Sequence, residues 1–148
     1  MELTRERKQE IQEIVDKIYD KSCNGYSFDD FAIENRIERI REYDFGSDGA
    51  QVALTFRFND GYAIVISKET PLEERTELYG HEFGHVCLGH VEPMDFKVDN
   101  AIEIGEIKGD SPEERAEADY FKEQFCKRFS HNGWLDLEKL KDFRMEFD

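Results

Sequence analysis

The stretch His81-Glu82-Phe83-Gly84-His85 is the most specific pattern in this chain, and it indicates both a helix and a metal site. A helix is predicted to open at Pro71 and to run through this stretch to Leu88. Four residues rotate an α-helix by about 400°, so the imidazoles of His81 and His85 share one face and can bind one metal ion. Neutral imidazole suits Zn²⁺, and the neighbouring Glu82 points toward the open coordination position. The stretch therefore predicts a zinc site with His81 and His85 as ligands and Glu82 as the base that activates water.

A catalytic zinc ion normally has three protein ligands, and the sequence leaves the source of the third one open. An acidic helix is predicted to begin at Ser111, and Glu114 falls on the stripe of that helix that faces inward. Glu114 is therefore the predicted third ligand, although it could instead form a capping box with Ser111. Glu117 and Asp119 remain alternatives, and Asp119 could instead hydrogen-bond a ligating histidine.

His90 is another candidate, five residues after His85. On a continuing helix it would lie about 140° around the axis from His85 and would face away, unless Gly89 ends the helix. The sequence favours a helix-capping or surface role for His90.

The remaining patterns predict an α+β protein with N-terminal helices, a short sheet and C-terminal helices. Apolar spacing predicts a helix over residues 6–20, and Ser27 can cap a second helix that ends near Asn35. A strand is expected around residues 37–40. Alternation over residues 51–58, with Val52, Leu54, Phe56 and Phe58 on one face, and the apolar run 62–66 predict a hairpin. Residues 91–110 are expected to be irregular, and residues 136–147 to form a last short helix.

Composition and charge restrict the possible functions. The chain has 148 residues, which fits one domain over 1–148, and its 35 acidic and 20 basic residues give a formal charge of −15. Because a surface with this much negative charge repels phosphate, direct nucleic-acid binding is not expected. No apolar run reaches the roughly 18 residues that span a bilayer, and the first residues lack a secretory signal. Three cysteines without a C-x-x-C pair suggest reduced thiols, so a cytoplasmic location is predicted.

Over roughly residues 25–130 the chain resembles the ImmA/IrrE family of zinc metallopeptidases. The resemblance rests on four segments in order, which are the hairpin at 53–67, the approach to the helix at 71–75, the block 81–90 and the run Glu117-Ala118-Asp119-Tyr120-Phe121. It implies a small zincin-like domain with a gluzincin-like site and activity against repressor proteins of phages, integrative elements or stress regulons. It also implies that His81 and His85 are ligands, that Glu82 is the catalytic base and that Asp119 supports the first histidine.

The chain departs from that family at one important position. The family's third ligand is usually a glutamate four residues before the Asn/Asp, and here that position holds Arg115. A guanidinium carries no lone pair for zinc. Either Glu114 or Glu117 replaces it as the ligand, or zinc is bound weakly, or the protein is a degenerate member of the family. Two functions follow as expectations. The first is a zinc endopeptidase that cleaves a cytosolic transcriptional repressor and so acts as an anti-repressor. The alternative is a non-catalytic member that sequesters a repressor or another basic partner.

Overall fold

The computed structural model describes residues 2–46, 52–58, 60–91 and 111–145. Within these ranges the chain forms four α-helices, which are α1 (Arg5–Ser22), α2 (Phe28–Asn35), α3 (Leu72–Cys87) and α4 (Pro112–Phe129). It also forms the strands β1 (Ile37–Tyr43), β2 (Ala53–Phe58), β3 (Gly61–Ser67) and β4 (Asp142–Arg144), with a short 3-10 helix (Lys139–Lys141) before β4. The predicted α+β class is confirmed.

The four strands form one mixed sheet in the order β2-β3-β1-β4. The predicted hairpin is present as antiparallel β2 and β3, and β1 runs parallel to β3. β4 pairs antiparallel with the far side of β1. The hairpin strand β2 therefore lies at one edge of the sheet, and β4 lies at the other.

The register of the hairpin decides which side chains of β2 face the helices. Thr55 lies opposite Ile64, whereas Leu54 lies opposite Val65. Paired residues point to the same face of a sheet, so Thr55 shares a face with Ile64, which belongs to the main hydrophobic core. The apolar positions Leu54 and Phe56 occupy the opposite face. The helix-facing side of β2 thus carries a polar residue, and this becomes important at the site described below.

A single apolar core joins the helices to the sheet. A bulge in β1 between Ile37 and Arg39 lets Ile37 and Ile40 both reach this core, although they are three residues apart. The core is unusually aromatic, and its rings contact one another across α2, α3, α4 and the segment after α4: Phe28, Phe31, Phe83, Phe121, Phe125, Phe129 and Trp134.

Glycines allow α3 and α4 to approach closely. A Cβ atom added to Gly84 would lie 3.1 Å from Cβ of Phe121 and 3.2 Å from Cα of Ala118. One turn earlier, a Cβ on Gly80 would meet the nearest atoms of Phe125 and Lys122 at 3.3 and 3.4 Å. The helix with the histidine pair therefore lies directly against the acidic helix, which brings side chains of α4 within reach of the histidines.

The prediction of a last helix over residues 136–147 is wrong. Within the described part of this segment, residues 136–145, only the short 3-10 helix forms, and the chain then extends into β4. Leu140 and Phe143 are both buried, but Phe143 reaches the core from a strand that pairs with Ile40. The predicted irregular segment 91–110 lies, apart from Val91, outside the described residues. Among the helices of the described ranges, none combines the length and the apolar character needed to cross a membrane.

Candidate metal centre

The two histidines of α3 converge as the helical spacing predicts. Nε2 of His81 lies 3.1 Å from Nε2 of His85, and ligand atoms of His81, Glu82 and His85 all lie within 4.8 Å of one another. Two nitrogens bound to one tetrahedral zinc ion at about 2.0–2.1 Å would be about 3.3 Å apart. The observed separation is close to that value, so the donor pair fits a zinc ion without rearrangement of α3.

Asp119 on α4 lies behind the ring of His81. Its Oδ1 atom is 2.9 Å from Nδ1 of His81. A carboxylate can only accept here, so the Nδ1 atom of His81 carries the proton and its Nε2 atom keeps a lone pair for a cation. Asp119 therefore holds His81 in the tautomer and orientation that metal binding requires.

The end of α3 turns His90 back toward the site. Gly89 adopts φ +71°, the left-handed conformation that glycine takes at little cost. The backbone N–H of Gly89 donates to Val86, and that of His90 donates to His85, which is the Schellman pattern. This turn places the His90 ring against the His85 ring, with their Nδ1 atoms 3.0 Å apart. Of the two roles expected for His90, its backbone takes the helix-capping one. Its side chain is not at the surface, because only 8% of it is exposed.

His90 in turn contacts a partly buried ion pair between α1 and α4. Its Nε2 atom lies 2.8 Å from Oε1 of Glu117. Arg7 on α1 donates to both oxygens of Glu117, from Nε to Oε2 at 2.7 Å and from Nη2 to Oε1 at 3.0 Å. The Arg7 hydrogen bonds hold the pKa of Glu117 below its ordinary value, against the effect of burial, and His90 adds to the lowering. Glu117 is therefore an ionised acceptor beneath the site.

Glu82 is buried beside the histidine pair and is oriented by the sheet. Its side chain points toward β2, where the hydroxyl of Thr55 donates to its Oε1 atom at 2.7 Å. Both residues are buried, with Glu82 only 2% exposed. A short hydrogen bond between two buried groups fixes the direction of the carboxylate. Thr55 therefore positions Glu82 beside His81 and His85.

His85 is held in its neutral form. Burial lowers its pKa to about 3, and the neighbouring His81, His90 and Arg115 add to the lowering. Neutral imidazole is the form that binds a metal ion. Arg115 is thus near enough to act on the site by its charge.

The predicted third ligand lies elsewhere. Glu114 forms a capping box with Ser111, in which each side chain accepts from the other residue's backbone N–H. Among the described residues, the group that could hold a metal consists of His81, Glu82 and His85 and does not include Glu114. The ligand role of Glu114 stays a prediction that this placement does not favour. Of the two alternatives, Glu117 is hydrogen-bonded to Arg7 and His90, and Asp119 to His81.

Sequence reasoning missed the two supporting contacts that come from distant elements. Thr55 lies on the face of β2 opposite to the apolar face that the alternation predicts. Arg7 lies 110 residues before its partner Glu117. For Arg7 the sequence carries no local signal. For His90 the sequence does carry a local signal of its position near the site. Gly89 precedes it, and a glycine commonly reverses the chain at a helix end.

Comparison with protein-family models, with curated proteins and with solved structures gave no match.

Proposed function

We propose that this protein is a zinc-dependent endopeptidase that hydrolyses a peptide bond in a cytosolic protein. The observation that carries the proposal is the convergence of the two Nε2 atoms, 3.1 Å apart, with the buried carboxylate of Glu82 beside them. Histidine ligands with an adjacent carboxylate on one helix are the arrangement of zinc peptidases. Bound zinc would polarise the substrate carbonyl and make water acidic enough to react near neutral pH.

In this proposal the protein residues divide the remaining work. Glu82 accepts a proton from the attacking water and returns it to the nitrogen of the leaving amine. Thr55 keeps the carboxylate aimed at the reacting atoms while that proton moves. Asp119 and His90 hold the two imidazoles in place from behind.

The sheet offers a place for the substrate backbone. β2 is an edge strand, and its Thr55 contacts Glu82 directly. An extended peptide could add to such an edge by β-augmentation, which would bring its backbone alongside the catalytic carboxylate. The resemblance to the ImmA/IrrE family favours a transcriptional repressor of a phage or mobile element as the substrate, and an anti-repressor role in the cytoplasm.

The proposal is tested by comparing wild type with Glu82→Gln. The protein is loaded with zinc, metal content is measured, and a panel of purified phage-type repressors is incubated with each variant and analysed by mass spectrometry. Wild type should cleave at least one repressor, and Glu82→Gln should bind zinc but lose cleavage by about 10²-fold or more. Glu77→Gln, which changes an exposed glutamate on the same helix, serves as the control and should behave as wild type. Equal cleavage by Glu82→Gln would show that the mechanism is wrong.

A second function is favoured by Arg115. Its positive charge lies close enough to His85 to disfavour a further cation there. A protein that kept the fold but binds zinc too weakly for turnover could still sequester a basic partner, because its formal charge is −15. Zinc stoichiometry separates the two functions, since one tightly bound zinc ion per chain would count strongly against the non-catalytic alternative.

A further inference from the structure

A line of hydrogen bonds runs from the N-terminal helix to the back of the candidate metal centre. It begins at Arg7 on α1, continues through Glu117 on α4 and His90 after α3, and ends at Nδ1 of His85. Glu117 and His90 are each 8% exposed in their side chains, whereas Arg7 is 31% exposed. The line therefore enters the protein from its surface and becomes buried as it approaches the site.

The donor and the acceptor of each hydrogen bond in this line follow from the groups at the two ends of the line. Arg7 can only donate, so the ionised Glu117 is an acceptor toward both Arg7 and His90. A neutral His90 that donates from Nε2 to Glu117 must then accept at Nδ1. His85 is left to donate from Nδ1, and its Nε2 atom, which faces His81, keeps its lone pair. One carboxylate thus fixes the tautomers of two rings in sequence.

We propose that Arg7 and Glu117 are positioning residues that set the metal affinity of the site by acting through His90 on His85. The proposal rests on the proposed zinc site and adds a role for a helix that contributes no ligand. Asp119 orients His81 through one direct hydrogen bond. Glu117 orients His85 through two hydrogen bonds in series, with His90 between them, and Arg7 of α1 holds Glu117. Hydrogen-bond partners of metal-bound histidines typically change metal affinity by 10- to 100-fold when they are lost.

The chain contains a matched control for this role. Asp16 on α1 pairs with Arg128 on α4 at 3.0 Å, so it also joins the two helices, but both side chains are about 40% exposed. Within the described ranges, neither Asp16 nor Arg128 contacts a residue of the candidate metal centre. A loss of zinc affinity caused only by loosening of α1 from α4 would therefore appear in Asp16→Asn as well.

The experiment compares wild type, Glu117→Gln, Arg7→Gln and Asp16→Asn as full chains. Zinc affinity is measured by competition with a chromophoric chelator, the visible spectrum is recorded after loading with Co²⁺, and folding of each metal-free variant is checked by circular dichroism. We expect zinc binding to weaken about 10- to 100-fold in Glu117→Gln and less in Arg7→Gln, with an altered Co²⁺ spectrum. Asp16→Asn should stay within about twofold of wild type.

Each outcome decides a different point. If folded Glu117→Gln and Arg7→Gln bind zinc like wild type, the positioning role is wrong and the zinc site still stands. If Asp16→Asn weakens zinc binding as much as Glu117→Gln, helix attachment alone explains the effect and the positioning role is again wrong. If wild type itself binds no zinc, both this role and the proposed function fail. If zinc binding behaves as expected but no peptide is cleaved, only the proposed function fails.

Discussion

Arg115 carries a positive charge that acts on His85 and opposes the binding of a cation at the candidate site. It belongs to the positive groups that lower the pKa of His85, after burial and the two neighbouring histidines. A like charge near a cation site weakens it, and a carboxylate in the same place would attract the cation and could ligate it. We therefore expect the identity of residue 115 to change how strongly the candidate site binds zinc.

We expect Arg115→Glu to tighten zinc binding by at least about tenfold, or about 1.4 kcal/mol. The measurement is a chelator competition at fixed ionic strength. Arg128→Glu, which reverses the charge of another exposed arginine on α4, serves as the control and should change zinc affinity little. An unchanged or weaker affinity in Arg115→Glu would show that residue 115 does not face the bound ion.

The residues of the site differ in how far the sequence could predict them. The sequence predicts the group of His81, Glu82 and His85, because helical geometry alone brings residues 81 and 85 to one face. Asp119 lies in hydrogen-bonding contact with His81, as one of the two roles considered for it requires. Thr55 and Arg7 reach the site only through tertiary packing, and no pattern within either segment indicates that packing.

Helix α3 depends on the absence of a side chain at Gly84. The Cβ of an alanine there would lie 3.2 Å from the Cα atom of Ala118, which cannot move without shifting α4. At Gly80 the nearest atom belongs to the ring of Phe125 at 3.3 Å, and the nearest backbone atom, Cα of Lys122, lies at 3.4 Å, which is an ordinary contact distance. Both changes gain the same helix propensity, about 1 kcal/mol, so the difference between them isolates the steric effect.

We expect Gly84→Ala to be less stable than Gly80→Ala by about 1–3 kcal/mol, as measured by urea unfolding. Gly84→Ala should also weaken zinc binding, because a shift of α4 moves Asp119 away from His81. Equal stabilities of the two variants would mean that the helices can separate at Gly84 without cost.

The ion pair between α1 and α4 predicts a pH dependence of stability. The pKa of Glu117 is lowered in the folded protein, mainly by Arg7, with His90 as the other group that faces it. A lowered pKa stabilises the fold above the unfolded-state value of about 4.3 and loses this effect as the pH falls through the folded-state value. We therefore expect Glu117→Gln to be less stable than wild type at pH 7, with a difference that shrinks as the pH falls toward about 3.

This pH dependence is measured by urea unfolding of the metal-free proteins across that range. Asp16→Asn provides the comparison, since its partly exposed pair should contribute little at any pH. A difference between wild type and Glu117→Gln that stays constant down to pH 3 would contradict the role of the ionised carboxylate.

The helices were easier to predict than the last strand. Ser27 and Ser111 cap α2 and α4 with complete capping boxes, and such caps are local signals that the sequence displays directly. β4 is three residues long, and its pairing partner β1 lies about a hundred residues earlier in the chain. Leu137 and Leu140 follow a helical spacing, whereas the residues that come next pair with β1 as a strand.

The whole molecule carries a large excess of negative charge, and this predicts how its stability responds to salt. With 35 acidic and 20 basic residues, repulsion among like charges opposes folding at low ionic strength. Salt screens this repulsion over a distance of about 10 Å at 0.1 M. It also weakens surface ion pairs such as Lys139–Asp29, but such exposed pairs contribute little. Screening of the net repulsion should therefore be the larger effect.

We expect the free energy of unfolding in urea to rise by about 1 kcal/mol between 0.02 and 0.2 M NaCl, and to level off at higher concentrations. Unfolding can be followed by the fluorescence of Trp134, the only tryptophan, which is packed against Phe28, Phe31 and Phe129. Chloride is preferred to sulfate, because sulfate strengthens the burial of apolar surface and would imitate the result. A stability that falls with added NaCl would mean that attractive pairs outweigh the net repulsion, and that the acidic residues are distributed so as to favour this fold.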